Sequence, residues 1–275
     1  MSAAPRAADP PFTALVLAGS RGHDDPVARV GGVAQKCLAP VAGVPMVARV
    51  VEALAACSSV GRIALALEGP ALLDDLPALR PLVAAGRLTL LATAATPSLS
   101  VQRALDELAG PLPLLVTTGD HPLLTPEMVE HFGAAARATG ADFVAGLTPA
   151  SAIRKAYPDA ERTYLRFRDE RYSGANLFAI MAPEGQRAVA FWRRVEQERK
   201  RPWRLVRAFG WRPLLAYLLG RLMLDHAMTR ASHVIGARVA AVVMPYPEAA
   251  IDVDKPADLE LAERILARRG PRPTS

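Results

Sequence analysis

The sequence predicts an α/β domain built around a mostly parallel sheet, and three observations carry that expectation. Short apolar runs recur along the chain and end at Gly, Pro or Asp; stretches with apolar residues at helical spacing follow them; and the alternation persists through most of the sequence. The chain has 275 residues, 51% hydrophobic and 22% charged. Its Ala, Val, Leu and Ile content is enough to offset the entropy of ordering, so a mainly disordered chain is excluded. One domain, or one domain with an insertion, fits that length.

Taken in order, residues 1–11 read as a loose, Pro/Ala-rich tail with no apolar core of signal-peptide length. Residues 13–18 form the first buried strand, closed by Gly19, and the next 17 residues form a polar, Gly-rich loop. Val47, Val50, Val51 and Leu54 then mark a helix over 45–57. Strands are expected at 62–67, 87–92, 112–118 and 141–147, and helical stretches at 70–85 and 98–109, the latter with Ser98 as N-cap. Thr125 caps another helix, with Pro126 in its first position.

Beyond Pro149 the rhythm changes. Residues 148–163 read as a loop or lid, 163–168 and 172–180 as strands, and 182–201 as a helix interrupted at Pro202. An apolar and basic stretch covers 203–223. A strand at 238–244, a short extended piece at 250–253 and a closing helix at 256–268 complete the chain. The expected organisation is therefore a domain over 12–269, carrying a basic, Trp/Leu-rich helical insertion at about 183–236, with a second tail at 270–275.

The net charge of +6 is unevenly spread. Between Arg187 and Arg212 nine basic residues face only Glu196 and Glu198, a surplus of seven. A solvated helix face, with the apolar side packed on the sheet, is one reading, and peripheral membrane contact through 203–224 is another. Nucleic-acid binding is not expected, because Trp203 and Trp211 lie among Leu and Val without an interleaved stacking platform. The only cysteines, Cys37 and Cys57, form neither a CxxC pair nor a Cys/His cluster, which excludes a structural zinc site and a disulfide scaffold. A cytoplasmic setting is expected, with membrane association through the basic segment open.

Three expected strand ends carry residues suited to chemistry, and ligands of open parallel sheets sit beyond those ends. The first is LAGSRG, Leu17, Ala18, Gly19, Ser20, Arg21 and Gly22, with Lys36 at the far end of the loop. Its glycines let backbone N–H groups approach a phosphate, and its cations could neutralise one. Neither GxGxxG nor GxxxxGK[ST] is present, so no dinucleotide fingerprint or P-loop is supported. The second is TTGDHPLLTPE, where Asp120 follows Gly119 and can hold Mg²⁺, or alternatively shape an Asx turn. His121 reads as a turn residue or supporting donor. The third is AIDVDKPADL: Asp252 and Asp254 alternate with Val253, so in extended chain they face one way and can share a cation, although Asp254 also fits an N-cap. Ser173 and His233 suggest no triad, since no GxSxG elbow exists.

The order and spacing of LVLAGSRG, KCLAPVAGVPMVARVVEAL, PSLSVQRAL, LLVTTGDHPLLTPEMV, YSGANLFAI and IDVDKPADLELAERIL resemble the MobA-like nucleotidyltransferase superfamily, which includes the molybdenum-cofactor guanylyltransferases and the cytidylyltransferases for methylerythritol phosphate and inositol phosphate. The resemblance implies a Rossmann-like three-layer sandwich of the nucleotide-diphospho-sugar transferase type. It also implies Mg²⁺-dependent transfer of NMP from an NTP, CTP or GTP favoured, to a small phosphorylated acceptor, with pyrophosphate released. By the same resemblance Leu17, Ala18, Gly19, Ser20, Gly22, Ser100 and Gly119 belong to the nucleotide site. Arg21, Lys36 and Asp120 are the catalytic set, Asp120 and Asp254 with Asp252 the metal ligands, and Gly174 and Asn176 the acceptor side. Two competing readings stay open. A nucleotide-sugar glycosyltransferase is one, since Asp252-Val253-Asp254 is formally DxD, although its late position and the following KPADL argue against it. The other is a catalytically silent nucleotide-binding protein, because the Gly-rich segment is shorter than the family's usual LAGGxSxRMG and its loop longer.

Overall fold

The computed structural model describes residues 9–19, 25–197 and 210–270. Strand β1 (Phe12–Leu17) lies at the middle of an eight-stranded sheet. Strands β4 (Val60–Leu67) and β5 (Leu88–Ala92) extend it in parallel to one side. On the other side come β6 (Leu114–Thr118), parallel to β1, then β9 (Arg171–Ile180), antiparallel to it, then β7 (Phe143–Pro149) and β10 (Val239–Val243). The two-residue strand β8 (Leu165–Arg166) pairs with β9, and β2 (Pro40–Val41) with β3 (Val44–Pro45) form a separate small ribbon. The mostly parallel sheet is as expected, with β9 reversed within it.

Side chains of a strand alternate between faces, and here both faces are buried. Ala14 and Val16 of β1 pack with Ile63, Leu65 and Leu115 on one side; Leu15 packs with Ala64, Leu114 and Val116 on the other. Helices α2 (Met46–Ala55) and α5 (Pro126–Thr139) cover the first face through Val47, Val50, Leu54, Met128 and Phe132. Helices α4 (Pro97–Glu107) and α7 (Gln186–Gln197) cover the second through Val101, Ala104 and Val189. Three layers result. The segment expected as an insertion is thus partly integral, because α7 packs on the sheet and α9 (Leu224–Ile235) contacts β10. α8 (Trp211–Leu218) lies between them in sequence and buries no residue.

Several local expectations are corrected. The stretch 70–85 is not one helix but two 3₁₀ turns, Pro70–Leu73 and Pro77–Leu79, and the short α3 (Arg80–Ala84). Pro77 and Pro81 remove backbone donors that a continuous helix would use. The N-cap of α4 is Thr96, whose Oγ1 accepts from the Leu99 N–H at 3.3 Å; Pro97 takes the first helical position, so the cap falls two residues before Ser98. Ser98 instead hydrogen-bonds Glu196 of α7. The loop after Gly19 contains α1 (Pro26–Gly31), capped by Asp25, which accepts from the N–H groups of Val27 and Ala28 at 2.8 and 3.2 Å. The expected lid at 148–163 contains α6 (Ala150–Ala156). Of the extended piece expected at 250–253, only Ala250 differs: it closes a 3₁₀ turn, Pro247–Ala250, and Ile251 is extended, before α10 (Pro256–Arg269). Residues 198–201 of the expected helix, and Trp203, lie outside the described residues.

One close approach fixes the corner after β9. A Cβ on Gly185 would sit 2.1 Å from the Asp142 carbonyl oxygen and 2.9 Å from its carbon. That oxygen already accepts from the Met181 N–H at 2.8 Å, so it cannot retreat without breaking the pairing of β9 with the start of β7. Gly185→Ala is expected to destabilise the protein by about 3 kcal/mol, read as a lower urea midpoint with an unchanged slope. A midpoint equal to that of the parent would show that the corner can relax.

Candidate active site

Strand order reverses next to β1: the chain steps outward to β4 and β5, then returns to β6 on the opposite side. Loops leaving the carboxyl ends of β1 and β6 therefore diverge, and a crevice opens between them. The two strand ends are close. The Gly119 N–H donates to the Leu17 carbonyl at 2.8 Å, and a Cβ on Gly119 would lie 3.0 Å from that of Ala18. Glycine at 119 leaves room for Ala18 and Val47 beside the strand end that presents Asp120.

Lys36 comes back to the same place although 16 residues lie between it and Gly19. The Cys37 thiol, buried and pushed up to about 12 by that burial, reaches the Ala18 carbonyl at 3.5 Å, and Gln35 Nε2 donates to Glu68 at 2.8 Å. These contacts hold the 3₁₀ turn Lys36–Leu38 against the end of β1. Lys36 Nζ then lies 2.5 Å from Asp120 Oδ2 and 2.8 Å from Asp254 Oδ1. Burial lowers the pKa of this ammonium, but the two carboxylates outweigh burial and raise it above its ordinary value, so Lys36 is charged here.

Asp254 arrives from the segment before α10, tied down by the Val253 N–H, which donates to the Asp120 carbonyl at 2.9 Å. Asp252 precedes it by two and faces the same crevice, as the alternation implied. Oxygens of Asp120, Asp252 and Asp254 all lie within 4.8 Å of one another. Burial, and then the Asp120 and Asp254 carboxylates beside it, push the Asp252 carboxyl up, against the opposing pull of Arg162 and Asn176. Asp120 Oδ1 is buried and has no hydrogen-bond partner. Three hard oxygen donors, one with an unused buried lone pair, fit a divalent cation.

Sequence reasoning missed the residue that aims Asp252. Arg162 donates to Asp252 Oδ1 at 2.7 Å, to the Asp252 carbonyl at 3.1 Å and to Asp258 Oδ1 at 2.8 Å. Asp258 Oδ2 accepts from the N–H groups of Asp254 and Lys255, both at 3.1 Å, which turns the chain into α10. No local signal distinguishes Arg162 from its neighbours in a segment read as a loop. Asp258, three residues after the N-cap Lys255, does carry a signal that the sequence reading passed over, that of an acid in the third position of a helix.

Asn176 belongs to the same group. It has φ +49°, a left-handed conformation, at an irregularity where β9 slips against β7 between Ala145 and Leu147. Its Nδ2 donates to Asp252 Oδ2 at 2.9 Å, so its observed partner is a carboxylate of the cluster. Gly174 is exposed opposite Leu147, two positions earlier on β9. Ser100 is buried, its Oγ accepting from the Ala94 N–H at 2.9 Å. That bond orders the loop containing Thr93, whose methyl lies 3.2 Å from where a Cβ on Gly19 would be. Ser20, Arg21 and Gly22 lie outside the described residues. His121 is wholly buried, with Nε2 3.3 Å from the Glu248 carbonyl, and burial pushes its pKa down to about 4. It is a neutral interior imidazole, in keeping with the reading as a supporting residue.

No curated protein matches the chain in sequence. A structure described as a hypothetical transferase from Thermus thermophilus is 34% identical, covers 90% of this chain and 99% of its own, and superposes with a TM-score of 0.75. The 4-diphosphocytidyl-2C-methyl-D-erythritol synthase of Anaerococcus prevotii is 14% identical over 94% of this chain and 96% of its own, with a TM-score of 0.56. A CMP:2-keto-3-deoxy-manno-octonic acid synthetase complexed with CTP is also 14% identical, over 94% and 100%, with a TM-score of 0.58. These last two establish the shared nucleotide-diphospho-sugar transferase fold. The family described as the MobA-like NTP transferase domain matches residues 14–194, which include both strand ends that flank the crevice, and the chain belongs to that family.

Proposed function

We propose that the protein is a Mg²⁺-dependent nucleotidyltransferase that moves NMP from an NTP, CTP or GTP favoured, to a small phosphorylated acceptor. The observation that carries this reading is the convergence of Asp120, Asp252 and Asp254 with Lys36 at the carboxyl ends of β1 and β6. An oxygen of the acceptor phosphate attacks the α-phosphorus, the bond from that phosphorus to the bridging oxygen breaks, and pyrophosphate leaves. Mg²⁺ held by Asp120 and Asp254, with Asp252 as a further ligand, would neutralise charge on the phosphate oxygens.

The chain's own residues bind and align. In this reading the backbone N–H groups of Gly19 to Gly22 would meet the triphosphate, with Arg21 and Lys36 supplying positive charge. Ser100 fixes the loop beside Gly19, on the nucleoside side. Asn176 and Arg162 hold Asp252 in place, and we assign exposed Gly174 to the acceptor side. The acceptor phosphate is already anionic, so no general base is needed, and buried neutral His121 is not required to move a proton.

The test is a melting panel with CTP, GTP, UTP and ATP plus Mg²⁺, followed by pyrophosphate release with a mixture of sugar, polyol and pterin phosphates. One triphosphate at a hundred times its Kd should add about 2.7 kcal/mol of stability. Pyrophosphate should then appear only with an acceptor present. Release of UDP or GDP from a nucleotide sugar would establish the glycosyltransferase reading instead, and binding without turnover the silent one.

A further inference from the structure

Helix α8 exposes what a soluble helix ordinarily hides. Trp211, Leu215 and Leu218 follow the i, i+4, i+7 spacing of a single helix face and are 67%, 46% and 70% exposed, and Leu219 beside them is 56% exposed. Met223 and Leu165 of β8 are exposed too. The expectation that this segment packs its apolar side inward therefore fails for α8. Tyr217, on the opposite side, meets the Phe167 ring at 5.9 Å between centroids, which holds the helix against the β8–β9 connection. The Arg168 N–H donates to the Leu222 carbonyl at 2.8 Å, and Leu224 N–H donates to Asp169 Oδ1 at 3.1 Å.

The location and charge of the face narrow its partner. β9 runs against β6 and β7, so its first residues lie at the carboxyl ends of the parallel strands, on the rim that carries the carboxylate cluster. From Arg199 to Leu224 the sequence holds seven Lys and Arg and no Asp or Glu. Exposed Arg212 lies 5.4 Å from the Trp211 ring centroid, and Arg221, Arg166 and Arg168 are also exposed. A second copy of this face would bring Arg212 and Arg221 against like charges. Nucleic acid would meet leucines where it needs stacking rings. Among the described residues no helix is long and apolar enough to cross a membrane, so contact at a bilayer surface is the geometry that remains for leucines beside arginines.

We propose that the exposed face of α8, with its flanking arginines, docks the protein on an anionic lipid bilayer and sets the rim of the active site at the membrane surface. The docking is independent of the reaction catalysed. The full-length protein should sediment with phosphatidylcholine vesicles that contain phosphatidylglycerol, and much less with phosphatidylcholine alone. Salt should weaken the binding without abolishing it, because the leucines contribute as well. The double variant Leu215→Asp/Leu218→Asp should lower vesicle partitioning at least about tenfold, and Trp211→Ala, which adds no charge, should lower it in the same direction. The replaced side chains are exposed, so thermal melts of both variants should match the parent.

Failure to sediment with anionic vesicles overturns the proposal, as does sedimentation that both variants leave unchanged. A nucleic-acid mobility shift sensitive to these variants, without vesicle binding, would assign the face to nucleic acid. Light scattering that shows a dimer dissolved by Leu215→Asp/Leu218→Asp, again without vesicle binding, would assign it to a second copy.

Discussion

Asp120→Asn is expected to reduce NTP-dependent pyrophosphate release by at least about a thousandfold while leaving the fold intact. The amide keeps the shape of the carboxylate but removes a full negative charge from a residue that, like Asp254, faces Lys36 and the other two acids, and that is the less exposed of the two. Its buried Oδ1, unpartnered in the structure, is the atom with most to lose as a cation ligand. The fold is held at this point by main-chain bonds, from Gly119 to Leu17 and from Val253 to Asp120, which the substitution does not touch. Melting temperature in the absence of nucleotide should therefore move by only a few degrees, whereas the Mg²⁺-dependent stabilisation by the preferred triphosphate should largely vanish. Pyrophosphate release that survives this change would place the reaction elsewhere.

The second large effect is on stability. Arg162→Met should destabilise the protein by roughly 3–5 kcal/mol, measured by urea unfolding. Arg162 and Asp258 are 7% and 6% exposed at their side chains, and Asp252 is 24% exposed. Deleting the guanidinium leaves two poorly hydrated carboxylates without their cation, next to Asp120 and Asp254. The pair Lys255–Glu161 nearby is 47% and 82% exposed, so water screens it and losing it should matter far less than losing Arg162. Asp252→Asn added to Arg162→Met should recover part of the loss, because it removes one of the two stranded charges. A cost below about 1 kcal/mol for Arg162→Met would mean that water reaches the cluster freely.

These two expectations differ in how far the sequence foreshadows them. Asp120 announces itself: an apolar run ends in Gly-Asp, and a Thr-Pro-Glu helix start follows six residues after the strand. Asp252 and Asp254 alternate about one valine, and extended chain does point both into the crevice. Arg162 has no comparable signature, since its partners lie 90 and 96 residues away. Its role exists only once α10 and the 157–164 segment are side by side. Ser98 shows the opposite error. A serine before an apolar periodic stretch reads as an N-cap, but Pro97 moved the helix start, and the hydroxyl turned to Glu196 on another helix.

α8 is the sharpest case. Amphipathic spacing tells which side chains share a helix face, and Trp211, Leu215 and Leu218 do share one. It does not tell whether that face meets the sheet or the solvent, because the hydrophobic effect that drives burial is non-directional. In the fold Tyr217 meets Phe167, the chain after the helix is hydrogen-bonded to Arg168 and Asp169, and the leucines face outward.

By itself the sequence determined the layered α/β fold, since alternating apolar strands and amphipathic helices can bury their apolar surface in few other ways. It also determined which strand ends carry acid, glycine and lysine. Tertiary structure alone decided how those ends combine: that Lys36 returns across 16 intervening residues to lie between Asp120 and Asp254, that Asn176 takes a left-handed turn to reach Asp252, and that Arg162 fixes the third carboxylate. Local patterning sets each element through short-range sterics and burial, whereas contacts between charges far apart in sequence exist only after the sheet order has brought them within hydrogen-bond reach.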